Sequence, residues 1–463
     1  MEALLLDVIS WSEQMSGTAE LGDQRRTHRL ARVLAGLATH PVGSLPARLP
    51  RHDLKAAYRL CAQEQVTHQA IAQAFRRGTL QLLDETPGDI LVLHDTTELN
   101  FFMRFSLHAK LGPLGTGSGR GYLCHSSIAF TSSGLLIGLT HQILHRRVPV
   151  PAGETYGDKR KRRTRESRLW VRGTEGLPAD PRLIDICDRG ADTFEFLEHE
   201  LNSGRRFVIR ASQNRRCYVG HDGGEQTKLK DHLRQQKPLG NREITLCRKK
   251  RRRARQVLVN VSVAAIQVRP PSKHKGRHGN QPLKLWCVRV WNQRYKLEQF
   301  LYIKHPVETL EAAIQVAQWY QKRWRHEDWH KGLKTGCGVE QLQFTSVSRL
   351  EPMIMILSAV AGWLLQVRDA GRADDATTRP AVDVVPQEVV QTLHIWRHPD
   401  KELPANWSIR DFTLALGRLG GHQNRKSDGM PGWITLWRGY ERLAIMLDFR
   451  KALQQSGRKK DVG

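Results

Sequence analysis

Apolar residues recur at helical spacing in the first part of the chain. In residues 30–37 and again in residues 53–60, leucine and alanine return every three or four positions, which is the period of an amphipathic helix. The pattern therefore predicts a helical domain over about residues 1–75.

Short apolar runs bounded by turn-forming residues follow this helical part and predict strands. They lie at residues 89–94, 122–130, 135–144, 183–187 and 206–210, with the second and third joined as a hairpin and a helical stretch at 192–202 between the last two. From about residue 213 to 305, further runs at 256–263, 285–291 and 299–303 predict a β-rich insertion. Strands mixed with helices favour an α/β fold with a layered sheet.

Helical patterns return after this insertion. We expect helices at about 307–334 and 347–370, a linker rich in Asp, Thr and Pro at 371–390, and a last helical section that ends near residue 455. The longest apolar run, Met353–Leu365, is interrupted by Ser358 and Gly362 and is too short to span a bilayer. We therefore interpret it as a buried helix and expect no membrane partner.

The net charge of the chain indicates what kind of partner it binds. The 463 residues include 73 Lys and Arg against 46 Asp and Glu, a formal net charge of +27, which favours a polyanion and above all nucleic acid. Two basic runs, at residues 159–165 and 248–255, and a basic stripe of Arg25, Arg26 and Arg29 are candidate phosphate contacts, although a solvated face is the alternative. The seven scattered cysteines and the lack of a signal peptide favour a reducing cytoplasm.

Two aspartates follow apolar strand-like runs. Asp95 comes after the run at 89–94, and Asp188 comes after the run at 183–187. Carboxylates from neighbouring strands repel each other unless a cation lies between them, and Mg²⁺ suits such an oxygen site. The alternative is that each aspartate forms a turn or caps a helix.

A third acidic residue belongs to a charged helical segment. If residues 320–334 form one helix, then Tyr320, Arg323, Glu327, Lys331 and Lys334 share one face. Glu327 would then join the metal site, and the basic residues and the phenol would bind phosphates. An ordinary exposed charged face is the alternative, and the spacing alone does not decide between them.

The spacing Tyr-x2-Arg-x3-Glu-x6-Lys resembles the YREK signature of bacterial transposases of the IS-four family. Tyr320, Arg323, Glu327 and Lys334 match it at every position. The resemblance extends over most of the chain and includes residues 21–26, 57–59, 95–97, 120–122, 187–189, 206–210, 334–336 and 419–421.

This resemblance implies a fold. The catalytic core would be ribonuclease-H-like and span residues 76–370, with the β-strand insertion at about 213–305. It would lie between a helical DNA-binding domain at 1–75 and a C-terminal helical dimerisation domain at 371–463.

The resemblance also implies the site. Asp95, Asp188 and Glu327 would be the metal ligands of a DDE transposase, holding two Mg²⁺ ions for which Mn²⁺ can substitute. The phosphate and DNA contacts would come from Tyr320, Arg323, Lys331, Lys334, Arg210, Arg25, Arg26, Arg29 and Arg59. The partners would be double-stranded DNA and a second copy of the chain.

One position departs from the family. Where the family has a tryptophan that stacks on a base flipped from a hairpin intermediate, this chain has Gln299. An aromatic ring can stack on any base, so Phe300 and Trp286 are candidates for that role. Trp324 matches a family aromatic and is a third candidate.

Other function classes remain open at this point. A ribonuclease-H-like nuclease would cut DNA without joining it, and an inactive relative would only bind DNA. Generic RNA binding is disfavoured because the chain shows no stacking-sheet motif.

Overall fold

The structure is a computed structural model of the chain. It describes residues 7–115, 117–148, 153–155, 158, 165–246, 255–272, 278–404, 406–425 and 428–460. The two predicted basic runs lie outside the described residues, except for Arg165 and Arg255 at their ends.

Helices occupy both ends of the chain and cover the central sheet. They are α1 (Val8–Ser16), α2 (Gln24–Thr39), α3 (Leu45–Arg48), α4 (Arg51–Cys61), α5 (His68–Glu85), α6 (Leu169–Thr174), α7 (Phe194–Asn202), α8 (Leu229–Gln235), α9 (Leu310–Gln321), α10 (Trp324–Lys331), α11 (Val347–Ala370), α12 (Gln387–Arg397), α13 (Ile409–Leu419) and α14 (Trp433–Lys460). Short 3-10 turns lie at Phe105–Lys110, Glu166–Arg168, Arg189–Ala191, Val339–Gln341 and Ala381–Asp383, and a π turn lies at Gly332–Gly336.

All described strands belong to one mixed sheet. They are β1 (Ile90–Asn100), β2 (Gly112–Pro113), β3 (Arg120–Thr131), β4 (Leu136–His145), β5 (Leu183–Cys187), β6 (Arg206–Arg210), β7 (Arg216–Val219), β8 (Gln226–Lys228), β9 (Gly240–Leu246), β10 (Arg255–Val268), β11 (Leu283–Asn292) and β12 (Leu297–Ile303). The order is β2-β3-β1-β5-β6-β12-β11-β10-β7-β8, with β4 beside β3 and β9 beside β10.

Strand β1 is central to the part of the sheet that carries the site. It pairs antiparallel with β3 and parallel with β5, so that Leu93 lies opposite Ile128 on one side and Ile186 on the other. Every residue of β5 is buried. A parallel strand covered on both faces forms a continuous apolar run, which is why the sequence pattern located β5 correctly.

The predicted insertion does not form a layer of its own. Strand β12 pairs antiparallel with β6, with Ile303 opposite Val208, so the insertion strands extend the same sheet. Buried Phe207 and Tyr302 belong to a second apolar core that continues across this junction. The insertion is therefore held rigidly against the strands that carry the site.

The N-terminal helices pack on the core rather than standing apart. Helix α2 buries Leu30, Leu34 and Leu37 on one face, as its spacing predicts. The ring centroid of Trp11 in α1 lies 5.1 Å from that of Trp363 in α11. Helix α5 continues to Glu85, past the predicted helical end, because its later residues also pack inward.

Helix α11 is the central buried helix. By length and composition it would pass for a membrane span, but 94% of its most apolar window is covered by the rest of the protein. This agrees with the interpretation of Met353–Leu365 as a buried helix. The predicted linker at 371–390 is wrong in its second half, because Ala381 and Val384 are buried and α12 begins at Gln387.

A buried ion network lies within the central strands. Asp185 in β5 hydrogen-bonds His94 Nε2 at 2.7 Å and accepts from Arg205 Nε at 2.6 Å. The second ring nitrogen of His94 lies 2.8 Å from Ser127 Oγ in β3. Burial would raise the pKa of Asp185, but the hydrogen bond from His94 and the charge of Arg205 outweigh it and lower that pKa. The network therefore fastens β1 to both of its neighbours.

Replacing Asp185 with asparagine should lower the free energy of unfolding by about 3–5 kcal/mol, because Arg205 would lose its nearest buried counter-charge. The loss is measured by urea unfolding at neutral pH. The same stabilisation in the parent protein should fade as the pH falls below the ordinary range of an aspartate, because a carboxyl with a lowered folded pKa stabilises only while ionised.

The matched control is Asp180→Asn. Asp180 pairs with Arg182 at 2.7 Å, but that arginine side chain is 36% exposed. Its loss should cost less than about 1 kcal/mol. Equal losses in the two variants would contradict a special role for the buried network.

Candidate active site

Asp95 lies inside a strand and not at its end, which corrects the sequence-based expectation. Strand β1 continues to Asn100 because its pairing with β3 continues, with Asp95 opposite Ser126. Its pairing with β5, by contrast, stops at His94 opposite Cys187. Asp95 therefore lies where β1 leaves its parallel neighbour, one residue beyond the last pair.

Asp188 lies one residue beyond that same last pair on the other strand. It follows β5 directly, and its Oδ1 accepts a hydrogen bond from Gly190 N at 2.7 Å. It caps the turn Arg189–Ala191, so the capping alternative also applies to it. Burial raises the pKa of Asp188, the Gly190 hydrogen bond opposes that rise, and the charge of Asp95 adds to it. The two aspartates are thus close enough to affect each other.

Glu327 reaches this edge of the sheet from α10, and Arg323 connects it to Asp95. The guanidinium of Arg323 donates to Asp95 Oδ2 at 3.0 Å and to Glu327 Oε1 at 3.0 Å. Burial would lower the pKa of Arg323, but these two carboxylates outweigh it and raise that pKa. A cationic group therefore already lies between two of the three carboxylates.

The predicted single helix over 307–334 is wrong, because it breaks between α9 and α10. Arg323 N bonds to Tyr320 O, and Arg325 N bonds to Lys322 O, so two tight turns separate the helices. Tyr320 and Glu327 therefore lie on different helices, although both side chains act on Arg323. The break places Arg323 at the start of α10, where its side chain meets Asp95.

The other predicted phosphate ligands lie on β6, α9, α10 and the π turn. Tyr320 is buried; burial raises the pKa of its phenol, while Arg210, which hydrogen-bonds it, opposes the rise. Lys331 is exposed on α10. Lys334 lies in the π turn, with Nζ 3.7 Å from Glu340 Oε1. Their role as phosphate ligands stays a prediction.

The three stacking candidates differ in exposure. Trp324 is 64% exposed, and the guanidinium carbon of Arg323 lies 5.4 Å from its ring centroid. Trp286 is half-buried with its ring edge-on to His221. Phe300 is only 4% exposed and belongs to the insertion core, so its ring is covered in this structure and its stacking on a base stays a prediction. Trp324 is the aromatic that the site presents to solvent.

The four arginines predicted to bind DNA in the N-terminal region are not equivalent. Arg25 is exposed and pairs with Asp23 at 2.9 Å, and Arg59 is also exposed. Arg26 instead donates to Leu21 O at 2.8 Å, and Arg29 pairs with the buried Asp53 at 3.0 Å. Arg26 and Arg29 therefore have partners within the helical region.

Sequence reasoning missed two histidines beside the carboxylates. His326 and His330 lie on α10, and one ligand atom from each of these and from Asp95 lies within 4.8 Å of the others. The spacing His-x3-His on a helix places two imidazoles on one face, and that signal was present in the sequence. The set can hold a metal ion.

Two matches to family models cover much of this architecture. Residues 9–66 match the model described as transposase DNA-binding, which covers α1 to α4. Residues 165–363 match the model described as transposase DDE domain, which includes Asp188 and Glu327. A DDE domain implies use of a divalent metal, and the carboxylates gathered around Arg323 fit such an ion. The chain therefore carries a transposase DNA-binding domain and a transposase DDE domain, which together support a DNA-cleaving DDE transposase.

Proposed function

We propose that this chain is a cut-and-paste DNA transposase of the IS-four family, resembling in particular the Tn-five transposase. It binds the inverted repeats at transposon ends, cleaves them by two-metal hydrolysis through a hairpin intermediate, and joins the 3′-hydroxyl ends to target DNA. The observation that carries the proposal is the position of Asp95 and Asp188 one residue beyond the last β1–β5 pair, with Arg323 connecting Asp95 to Glu327.

The fold supports a ribonuclease-H-like core. The strands β4-β3-β1-β5-β6 are consecutive in the sheet, antiparallel among the first three and parallel among the last three. That mixed order agrees with the core that the YREK resemblance implies. The aspartates lie at the centre of this unit, where β1 and β5 meet.

Each side chain has a task in this proposal. Asp95, Asp188 and Glu327 would hold two Mg²⁺ ions, or Mn²⁺ in their place, and such ions would supply activation of a water molecule and stabilisation of negative charge on a leaving oxygen. Arg323 releases the carboxylates and turns to the scissile phosphate. Tyr320, Arg210, Lys331 and Lys334 bind neighbouring phosphates as charged or hydrogen-bonding partners. Exposed Trp324 stacks on the base displaced at the hairpin step.

The C-terminal region supports a homodimer in the complex with two transposon ends. Helix α14 buries Leu443 and Leu447 against the rest of the chain. On its other side Ile445 is 70% exposed and Phe449 is 65% exposed. These two residues lie four positions apart, so they form one apolar stripe that fits a second copy. With such a DNA substrate, we propose that the protein acts in the bacterial cytoplasm, at the nucleoid.

Glu327→Gln should abolish cleavage of a transposon end while end binding persists. The amide cannot hold a metal as a carboxylate does, so the rate should fall by more than the roughly 10–100-fold lost with an outer partner. The test incubates the protein with the inverted repeat that flanks its gene and Mg²⁺, and follows nicked and hairpinned DNA on a denaturing gel.

The control is Asp328→Asn, the next carboxylate on α10, which pairs with Arg368 at 2.9 Å rather than with the site. It should cleave at the parental rate. Two assays distinguish the alternative functions. A nuclease yields no joined product when pre-cut ends are supplied with target DNA, and an inactive relative does not cleave uncut ends. Normal nicking by Glu327→Gln would overturn the assignment of this residue.

Arg323→Gln should bind Mn²⁺ more tightly in the absence of DNA but cleave DNA more slowly. Removing the guanidinium frees Asp95 and Glu327 for the ion, and we expect a gain of up to about tenfold in affinity, or ~1.4 kcal/mol. Calorimetric titration of Mn²⁺ measures the first effect, and the cleavage gel measures the second. Weaker Mn²⁺ binding in this variant would contradict the view that Arg323 occupies the place of a cation.

A further inference from the structure

Two histidines on α10 form a cluster that the proposed reaction does not use. The ring centroids of His326 and His330 lie 4.5 Å apart, one helical turn from each other. Asp95 completes the group, with one ligand atom from each of the three side chains within 4.8 Å of the other two. The cluster therefore combines two imidazoles with one carboxylate at a single place.

His326 has the hydrogen-bonding pattern of a metal ligand. Its side chain is fully buried, and its Nε2 lies 2.9 Å from the carbonyl oxygen of Ser126, which can only accept. Nε2 therefore carries the proton, and the lone pair is on Nδ1. Nδ1 is buried and has no hydrogen-bond partner within the described part of the chain. Metal-binding histidines commonly donate their other N–H to a carbonyl or carboxylate in this way.

His330 is the second ring with a nitrogen to offer. Its Nε2 is buried and, among the described residues, has no hydrogen-bond partner. Simple edge-to-face packing of the two rings would explain why they lie close together. It would not explain why two buried ring nitrogens beside a carboxylate have no hydrogen-bond partner among the described residues.

We propose that Asp95, His326 and His330 form a binding site for a transition-metal ion of the Zn²⁺ or Co²⁺ type, which shares Asp95 with the oxygen-ligand Mg²⁺ site but differs from it in its two nitrogen ligands. Two imidazoles and one carboxylate, with a fourth position left for water, are a ligand set that zinc takes. Mg²⁺ prefers oxygen ligands and does not compete well for the two nitrogens.

Because Asp95 belongs to both proposed metal sites, an ion bound at the histidines should affect catalysis. Asp95 Oδ1 already accepts from Thr96 N at 2.8 Å, and Oδ2 accepts from Arg323 at 3.0 Å. An ion held by the histidines therefore draws on the same carboxylate that Arg323 now binds. Occupancy of the histidine site should displace Arg323 and compete with catalytic Mg²⁺, so Zn²⁺ should inhibit cleavage. This last step rests on the proposed function, whereas the binding itself does not.

The test is a Co²⁺ titration of the full-length, metal-free protein, followed by visible absorption, with Zn²⁺ added afterwards as competitor. We expect one Co²⁺ with the intense bands of a low-coordinate site, displaced by Zn²⁺. His326→Gln and His330→Gln should each weaken Co²⁺ binding by at least about tenfold, because even the loss of an outer partner of a ligand costs roughly 10–100-fold. Thermal unfolding without metal checks that each variant folds. If His326→Gln does not fold, the Co²⁺ affinity of His330→Gln tests the proposal, because His330 is the less buried of the two.

Two further variants serve as controls. His305 also has a buried ring nitrogen with no hydrogen-bond partner among the described residues, but it lies outside the cluster, so His305→Gln should bind Co²⁺ as the parent does. Glu327→Gln should also keep the Co²⁺ bands while losing cleavage, which separates this site from the catalytic one. Parental binding by a folded His330→Gln protein, or a spectrum of octahedral Co²⁺ only, would overturn the proposal.

The inhibition step is read separately. Zn²⁺ added to a Mg²⁺ cleavage reaction should inhibit the parent protein, and His330→Gln should need at least about tenfold more Zn²⁺ for the same inhibition. If the protein cleaves no DNA but binds Co²⁺ through the histidines, the proposed function fails and the site stands. If the protein cleaves DNA but neither histidine substitution weakens Co²⁺ binding, the proposed histidine site is wrong and the proposed function stands.

Discussion

The structure of the site depends on how carboxylates of like charge are kept together at one edge of a sheet. Asp95 and Asp188 raise each other's energy when both are ionised, and Glu327 adds a third negative charge. The Arg323 guanidinium offsets part of this repulsion by donating to Asp95 and Glu327 at 3.0 Å each. A divalent cation would offset more, because it carries twice the charge in a smaller volume. A divalent cation could therefore replace the Arg323 guanidinium as the positive charge between these carboxylates.

The strands beneath the site fix where the carboxylates lie. Side chains alternate between the two faces of a strand, so a slip of one residue in β1 would move Asp95 to the other face. His94 makes such a slip costly, because its ring is held between Asp185 on β5 and Ser127 on β3. The residue just before the catalytic candidate thus fastens β1 to both neighbours, so the buried network sets the register on which the site depends.

The sequence predicted those helices and strands whose pattern of apolar and polar residues lies within the element itself. Strands β5 and β6 and helix α11 were placed within a residue, because each is an apolar run bounded by turn or polar residues. The break between α9 and α10 was missed, because residues 321–324 all tolerate a helix and the turn is tied to the contact of Arg323 with Asp95, far away in the chain. The burial of Phe300 could not be predicted for the same reason, since which face of β12 is covered depends on how the insertion joins the sheet.

The opposite demands of metal and DNA explain how charge is distributed around the site. A metal ion needs a concentration of negative charge, whereas the phosphate backbone is attracted to the excess of 73 basic over 46 acidic residues. Asp95 lies in β1 and Asp188 directly follows β5, while Lys331 and Lys334 lie at the end of a helix and in a π turn. In the proposed reaction, a DNA phosphate would draw Arg323 away from the carboxylates that the metal ions need. Metal ions bound to the carboxylates would in turn free Arg323 for the phosphate. DNA and metal would therefore favour each other's binding.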